Sequence, residues 1–367
     1  MNMLTAVTIF GTRPEIIKLS SFIREADKRI KRHYMIHTNQ HYNYNMDRIF
    51  FEELELREPD FRLHTKSREP TAQLGEMISQ SIDILEELMP DVVIVLGDTN
   101  STLAGAIAAK NYGCRLAHIE SGCRSFNPMQ IEEYNRVFVD HISDILFAPT
   151  IYAVKNLLRE RIPKKRIHLV GSTLISVCKR NLEIAQRKVR FRFKEPYALM
   201  TLHRRENILN KHRIESILDA MINVSREIKV IFPIHPHTKS LIMKCNIYKK
   251  LSKNENILII RPLGYLEFLY TLSHAEFVFT DSGGVQQEAQ VLSIPTLTAR
   301  SETEWVETIK SGCAVLVDTD KEKIVESARK ILSDKNFRKK IQKAPNPYSH
   351  NHVDEKIVSI LLKNKSS

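Results

Sequence analysis

The stretch Phe279-Thr280-Asp281-Ser282-Gly283-Gly284-Val285-Gln286-Gln287-Glu288-Ala289-Gln290 follows an apolar strand pattern at 276–280 and opens a helical pattern that runs to about Leu292. Ser282 is placed to cap that helix, because its side-chain oxygen can accept a hydrogen bond from a first-turn amide. Gly283 and Gly284 leave the backbone bare, so an anion can reach amides that the helix itself does not use. Glu288 stands about one and a half turns further in, where a carboxylate can accept bonds from ribose hydroxyls beside a diphosphate. Together these residues make a nucleotide-diphosphate grip. Alone, they also fit an ordinary Ser-capped helix after a strand, and the rest of the chain has to decide.

Outward from this stretch the pattern of strand, short loop and helix repeats. Apolar runs of the buried, parallel kind occur at 4–10, 33–38, 91–97, 115–119, 144–148 and 167–170, then at 197–202, 228–234, 256–260, 276–280, 294–298 and 313–317. Helical patterns fill most gaps, for example 100–112, 132–143, 150–161, 211–226, 264–274 and 320–333. Alternating elements of this kind predict an α/β fold with parallel sheets covered on both faces. The strands form two sets of about six, separated by the polar, basic stretch 179–194, which has no strand character and is read as the link. The expected domains are 1–178, carrying acidic residues, and 179–350, carrying the diphosphate grip. A final helical pattern in 351–367 would pack back on the first domain. Two doubly wound, Rossmann-like domains would then face a central cleft along the carboxyl ends of their strands, where such sheets bind ligands.

Composition narrows the class. The chain has 367 residues, 43% hydrophobic and 27% charged, enough for two cores. No apolar run reaches the roughly 20 residues of a membrane span, and the apolar start Leu4 to Phe10 reads as a first strand rather than a secretion signal. Five cysteines (Cys114, Cys123, Cys178, Cys245, Cys313) are scattered without metal-ligand spacing, which points to reduced thiols in a cytoplasm and gives no support for a metal. The net charge of +12 is spread over helix faces and the tail, with aromatic interleaving only at Phe191 and Phe193. Nucleic acid is therefore not the expected partner; a phosphate-bearing substrate suits the charge better. A homodimer is the expected assembly.

Polar clusters fall where strands end. After the first strand come Gly11-Thr12-Arg13-Pro14-Glu15 and then Lys18; Pro14 suits a first helical turn, and Arg13 and Lys18 can reach a phosphate. Asp98, in Gly97-Asp98-Thr99, and Glu120, in Glu120-Ser121-Gly122, each end an apolar strand. A buried, unpaired carboxylate there is costly, so each needs a basic partner or faces the cleft. Glu132 and Glu133 open the next helix, where acidic residues also simply favour the helix dipole. In the second half, strand ends carry His203-Arg204-Arg205-Glu206 and His235-Pro236-His237. Neither a G-x-G-x-x-G fingerprint after the first strand nor a Walker loop is present, so no redox cofactor or nucleotide hydrolysis is expected.

In these motifs the chain resembles the non-hydrolysing UDP-N-acetylglucosamine 2-epimerases, which share the two-domain glycosyltransferase-B fold. Gly-Thr-Arg-Pro-Glu (11–15), Gly-Asp-Thr (97–99), Glu-Ser-Gly (120–122), Glu-Glu-x-Asn-Arg (132–136), His-Arg-Arg-Glu (203–206) and Asp-Ser-Gly-Gly-x-Gln-x-Glu (281–288) occur in the family's order. The resemblance implies inversion at C2 of a UDP-linked N-acetylhexosamine, by elimination of UDP to a 2-acetamidoglucal and re-addition, without a cofactor. It implies that Asp98, Glu120 and Glu132 are the acidic catalytic set, with Lys18 and His203 supporting elimination; which carboxylate is the base stays open. Arg13, Ser282, Gly283, Gly284, Glu288 and His235 are implied as UDP contacts. Gln40 and His41 match positions where some bacterial members bind a second substrate molecule. Between Glu120 and Glu132 the loop is about two residues shorter than in well-known members and ends on Ile131. That departure leaves room for a modified hexosamine (a diacetamido uronic acid or a 6-deoxy sugar). The hydrolysing relative, releasing N-acetylmannosamine and UDP, is a further alternative.

Overall fold

The computed structural model describes residues 4–40, 50–67, 69–190, 193–243, 247–303, 305–346 and 352–363. It divides into two compact units, one of Met1–Val177 with Tyr348–Ser367 and one of Cys178–Pro347.

In the first unit the strands are β1 (Thr5–Phe10), β2 (Arg32–His37), β3 (Phe61–Arg62), β4 (Val92–Leu96), β5 (Arg115–Ile119), β6 (Ile145–Ala148) and β7 (Ile167–Leu169). They pair in parallel in the order β3-β2-β1-β4-β5-β6-β7. β1, β4 and β6 are buried along their whole length, which explains why β4 and β6 are unbroken apolar runs and β1 is interrupted only by Thr5 and Thr8. The short β3 has no apolar run of its own, and no strand was expected there. The helix Asn100–Tyr112 is rich in alanine, and Gly105 lets it lie against Ile9 and Val95, each 3.1 Å from where a Cβ would stand. The order runs outward in both directions from β1 and β4. The loops leaving these two strands therefore diverge and open a crevice at the carboxyl edge.

The second unit holds β8 (Tyr197–Thr201), β9 (Lys229–Pro233), β10 (Ile257–Ile260), β11 (Phe277–Thr280), β12 (Thr296–Thr298) and β13 (Ala314–Leu316), all parallel in the order β10-β9-β8-β11-β12-β13. Here the reversal lies between β8 and β11, so their loops, 202–204 and 281–282, share that crevice. The core of this unit joins Met200, Phe232, Phe277, Phe279 and Leu297 to Ile217, Leu218 and Met221 of the helix Lys211–Val224.

The fold class is the one expected: two doubly wound α/β units of the glycosyltransferase-B kind. The polar stretch 179–194 differs from its reading as a plain link, because its first half continues the helix Thr173–Lys188. Val177, Cys178, Ile184 and Ala185 are buried, and the lysines and arginines that made the stretch look like a linker lie among exposed positions. The helix Val353–Lys363 packs on the helix Arg13–Arg29, where Ser21 donates to an Asp354 carboxylate oxygen at 2.7 Å. Among the described residues no helix is long and apolar enough to cross a membrane.

Candidate active site

In the first unit the loop after β1 is built around Glu15. Its carboxylate accepts the Gly11 and Thr12 amides at 3.0 and 2.8 Å, and the Thr99 and Thr102 hydroxyls at 2.8 and 3.0 Å. One buried side chain thus fixes the loops of β1 and β4 together. Burial raises the Glu15 pKa, against these four donors. Sequence reasoning quoted Glu15 without giving it a role; its place three residues after Thr12 was the capping-box signal. The bare backbone at Gly11 also has a local cause: a Cβ there would stand 1.8 Å from the Thr38 hydroxyl and 2.4 Å from that of Ser101.

Lys18, one turn into the same helix, donates through Nζ to Oε2 of Glu120 at 2.7 Å, with the two side chains 15% and 7% exposed. Burial alone would lower the Lys18 pKa, but the charge and hydrogen bond of Glu120, with Asp98 nearby, raise it overall. The other Glu120 oxygen, Oε1, is buried and has no hydrogen-bond partner among the described residues. Glu120 also has φ +69°, a left-handed conformation that side chains seldom adopt, at the end of an otherwise regular strand. Asp98, on the neighbouring strand end, pairs with Arg136 at 2.5 Å. Of the two options left open for these carboxylates, each has a basic partner.

Arg136 also binds Glu133 at 2.8 Å, and Glu133 accepts the Ser125 and Phe126 amides at 2.8 and 3.0 Å. Glu133 is thereby turned inward to hold the 125–126 loop, while Glu132 is exposed at the helix start. Arg136 and Glu133 received no role from the sequence; their i, i+3 spacing is the visible trace of the ion pair. Arg13 is half-buried, with its guanidinium 5.5 Å from the centre of the Phe50 ring. Gln40 spends its side-chain oxygen on the backbone and hydroxyl of Ser101 at 3.0 and 2.7 Å, an internal use of a residue read as a second-site contact. His41 lies outside the described residues.

In the second unit Ser282 caps the helix Gly283–Val291, accepting the Val285 amide at 3.4 Å. A Cβ on Gly284 would meet nothing nearer than the Ser282 hydroxyl at 3.9 Å, so space is open over this helix end. Glu288 is buried on the same helix. The preceding Asp281 is fully buried and organises the loop of β8: it accepts the His203 and Arg204 amides at 3.1 and 3.0 Å and the Asn207 side chain at 3.2 Å. His203 places Nδ1 3.0 Å from the same carboxylate while its side chain stays 56% exposed. Nδ1 therefore carries the proton and Nε2 is the ring position left for chemistry. Burial works against the Asp281 charge, but His203, the Arg204 amide and Asn207 hold its carboxyl below the usual range. His235 is exposed in the loop after β9. Among the described residues no group of three or more His, Cys, Asp or Glu could hold a metal ion.

Comparison with known proteins bears on this geometry. The family model described as UDP-N-acetylglucosamine 2-epimerase matches residues 24–362. A UDP-N-acetylglucosamine 2-epimerase of Methanocaldococcus jannaschii is 43% identical over 366 residues, covering 97% of this chain and 98% of its own. A UDP-2,3-diacetamido-2,3-dideoxy-D-glucuronate 2-epimerase of Pseudomonas aeruginosa is 36% identical over 361 residues, covering 97% of this chain and 99% of its own. Among solved structures, the M. jannaschii enzyme in complex with UDP-GlcNAc and UDP superposes with a TM-score of 0.88 at 42% identity, over 99% of this chain and 100% of that one. The Neisseria meningitidis enzyme bound to UDP-GlcNAc gives 0.89 at 30% identity, over 98% of this chain and 100% of that one. A match of this extent, on a chain with two doubly wound units and these strand-end residues, has one consequence: the chain belongs to the UDP-N-acetylglucosamine 2-epimerase family.

Proposed function

We propose that this chain inverts C2 of UDP-N-acetylglucosamine, giving UDP-N-acetylmannosamine, without a cofactor. The observation that carries the mechanism is Glu120: a buried carboxylate with one oxygen held by Lys18 and the other without a hydrogen-bond partner among the described residues. The C2 proton has no neighbouring carbonyl and is very weakly acidic, so the C1–O bond has to break early. The departing diphosphate then needs positive charge and helix amides, which the Ser282–Gly284 turn, Arg13 and His203 supply in this reading. The ring, carrying oxocarbenium character, is stabilised by carboxylates as in glycoside hydrolysis. One of Asp98, Glu120 and Glu132 removes the C2 proton, leaving 2-acetamidoglucal and UDP. The abstracted proton passes to solvent, and a solvent-derived proton is delivered to the opposite face of C2 as UDP adds back at C1, which restores every atom. Glu288 serves the ribose, His235 the UDP moiety, and Gln40 with His41 a second substrate molecule.

Two finer points follow the same reading. Ile131, Tyr134 and Phe138 form an exposed stripe on the helix Ile131–Ile142 at i, i+3, i+7 spacing, and we assign it to a second copy of the chain in a homodimer. Cys114, Cys178 and Cys313 are buried thiols outside any disulfide, which supports a cytoplasmic setting.

Incubation with UDP-N-acetylglucosamine in deuterated water, followed by NMR, tests the activity. The expected result is deuterium at C2 together with UDP-N-acetylmannosamine. Free N-acetylmannosamine plus UDP would replace the reading with the hydrolysing reaction. Turnover of a UDP-linked diacetamido uronic acid alone would keep the chemistry and change the sugar. That second substrate is favoured by the shortened loop before Ile131 and by the activity named for the Pseudomonas relative.

A further inference from the structure

His118 sits on β5, two residues before Glu120, and is fully buried. Its Nδ1 lies 2.7 Å from Oδ1 of Asp140, and its Nε2 lies 2.8 Å from the carbonyl oxygen of Gly97. A carbonyl oxygen has no proton to give. Asp140 is held as a carboxylate by its buried ion pair with Arg124 at 2.6 Å, and its second oxygen also accepts the Gly122 amide at 2.9 Å, so Oδ1 faces the ring as an acceptor. Two acceptors therefore face the two nitrogens of one ring, and a neutral imidazole can donate to only one of them.

We infer that His118 carries a proton on both ring nitrogens and acts as a positioning residue that clamps the Asp98 loop to the Glu120 loop. One N–H holds the Gly97 carbonyl, next to Asp98. The other holds Asp140, whose far oxygen holds the Gly122 amide, two residues beyond Glu120. Gly122 has φ +80°, and a Cβ there would stand 2.4 Å from the Ala153 carbonyl oxygen. The chain has no slack at this point, so the ring sets the distance between the two strand ends. Arg124 extends the clamp to Glu160 through bonds of 2.8 and 2.7 Å. A neutral ring would leave two lone pairs opposed at one of its contacts, inside a dry interior where such a mismatch costs most.

The importance of this spacing rests on the proposed roles of Asp98 and Glu120, but the protonation state does not. Nitrogen-15 spectra of histidine-labelled protein, with the His118 signals assigned by their loss in His118→Gln, read that state directly. Two protonated ring nitrogens with slowly exchanging N–H signals are expected; one unprotonated nitrogen overturns the inference, whether or not the chain turns over any sugar nucleotide. For positioning, His118→Leu should lower kcat by roughly 100-fold, the scale of an ångström of misplacement. UDP affinity should change less than about twofold, since the proposed UDP contacts at 282–284, His235 and Glu288 lie in the other unit and Arg13 follows β1, which the His118 bonds do not touch. His118→Gln, able to donate from a comparable position to Gly97, should recover about tenfold of the kcat lost in His118→Leu. Equal activity in the Leu variant and the wild type, or no recovery with Gln, would refute the positioning role. If the wild type is inactive on every UDP-hexosamine while both nitrogens are protonated, the proposed activity fails and the charge assignment stands.

Discussion

Replacing Lys18 with Met removes the counter-ion of Glu120 and leaves a hydrophobic stem of similar reach. The size of the effect follows from the geometry. Unit charges 2.7 Å apart attract by about 6 kcal/mol at an effective dielectric near 20. Much of that is cancelled by the cost of drawing both groups out of water. With Lys18 15% and Glu120 7% exposed, the pair lies near the buried limit, where breaking one side costs about 3–5 kcal/mol. The part-exposed ammonium argues for the lower figure, about 3 kcal/mol, or a fall of about 6–12 °C in the transition of a unit of this size. Glu120→Gln should cost less, because the Lys18 stem can let its ammonium reach water. The double variant should be more stable than Lys18→Met alone, with a coupling of about 2–3 kcal/mol. Chemical denaturation and calorimetry at neutral pH, on all four proteins of the cycle, give these values. If Lys18→Met is as stable as the wild type and the two changes add, Glu120 does not depend on Lys18 and the reasoning fails. Activity supplies a separate check: both single variants and the double variant should be inactive, including the double variant that regains stability.

Other outcomes can be tested with the same protein. Gly283→Leu should raise the Kd for UDP more than about tenfold in calorimetric titration, or about 1.4 kcal/mol; unchanged affinity would mean that the diphosphate binds elsewhere. Gly11→Ala should destabilise the first unit by about 1–3 kcal/mol through collision with Thr38 and Ser101, and adding Thr38→Ala should recover part of that loss; full stability of the single variant would show that the loop has room. The pH dependence of Asp281 has a definite sign. Its carboxyl is held below the ordinary value in the folded state, so the stability it contributes is fully present above the unfolded value near 4 and is lost as pH falls through the folded value. Asp281→Asn should therefore cost more at pH 7 than at pH 3 in denaturant titrations, and an equal cost at both would remove the assigned charge.

The existence of two main sheets and of most of their strands was legible without coordinates because buried parallel strands advertise themselves as short apolar runs. β1, β4, β8 and β11 are each covered on both faces, and nothing in their sequences competes with that pattern. The Ser282 cap was equally readable, since capping is settled within four residues. The two-residue β3 escaped notice because two half-buried residues, Phe61 and Arg62, are too few to make a pattern. Likewise the helix Thr173–Lys188 carries its apolar residues on one face and hid behind its charges.

The sequence by itself determined an alternating α/β chain in two halves, with particular acids and bases at the ends of particular strands. It could not say which carboxylates serve structure and which are held for chemistry. Glu15, Glu133, Asp140 and Asp281 are consumed by backbone amides, hydroxyls and cations, some nearby in the chain and some far along it, whereas Glu120 keeps an oxygen without a partner among the described residues. That division depends in part on contacts such as Thr99 to Glu15 and Arg204 to Asp281, 84 and 77 residues apart, between strands brought side by side by sheet order. Only tertiary packing decides where a buried charge finds its donors, because local periodicity carries no record of the partner.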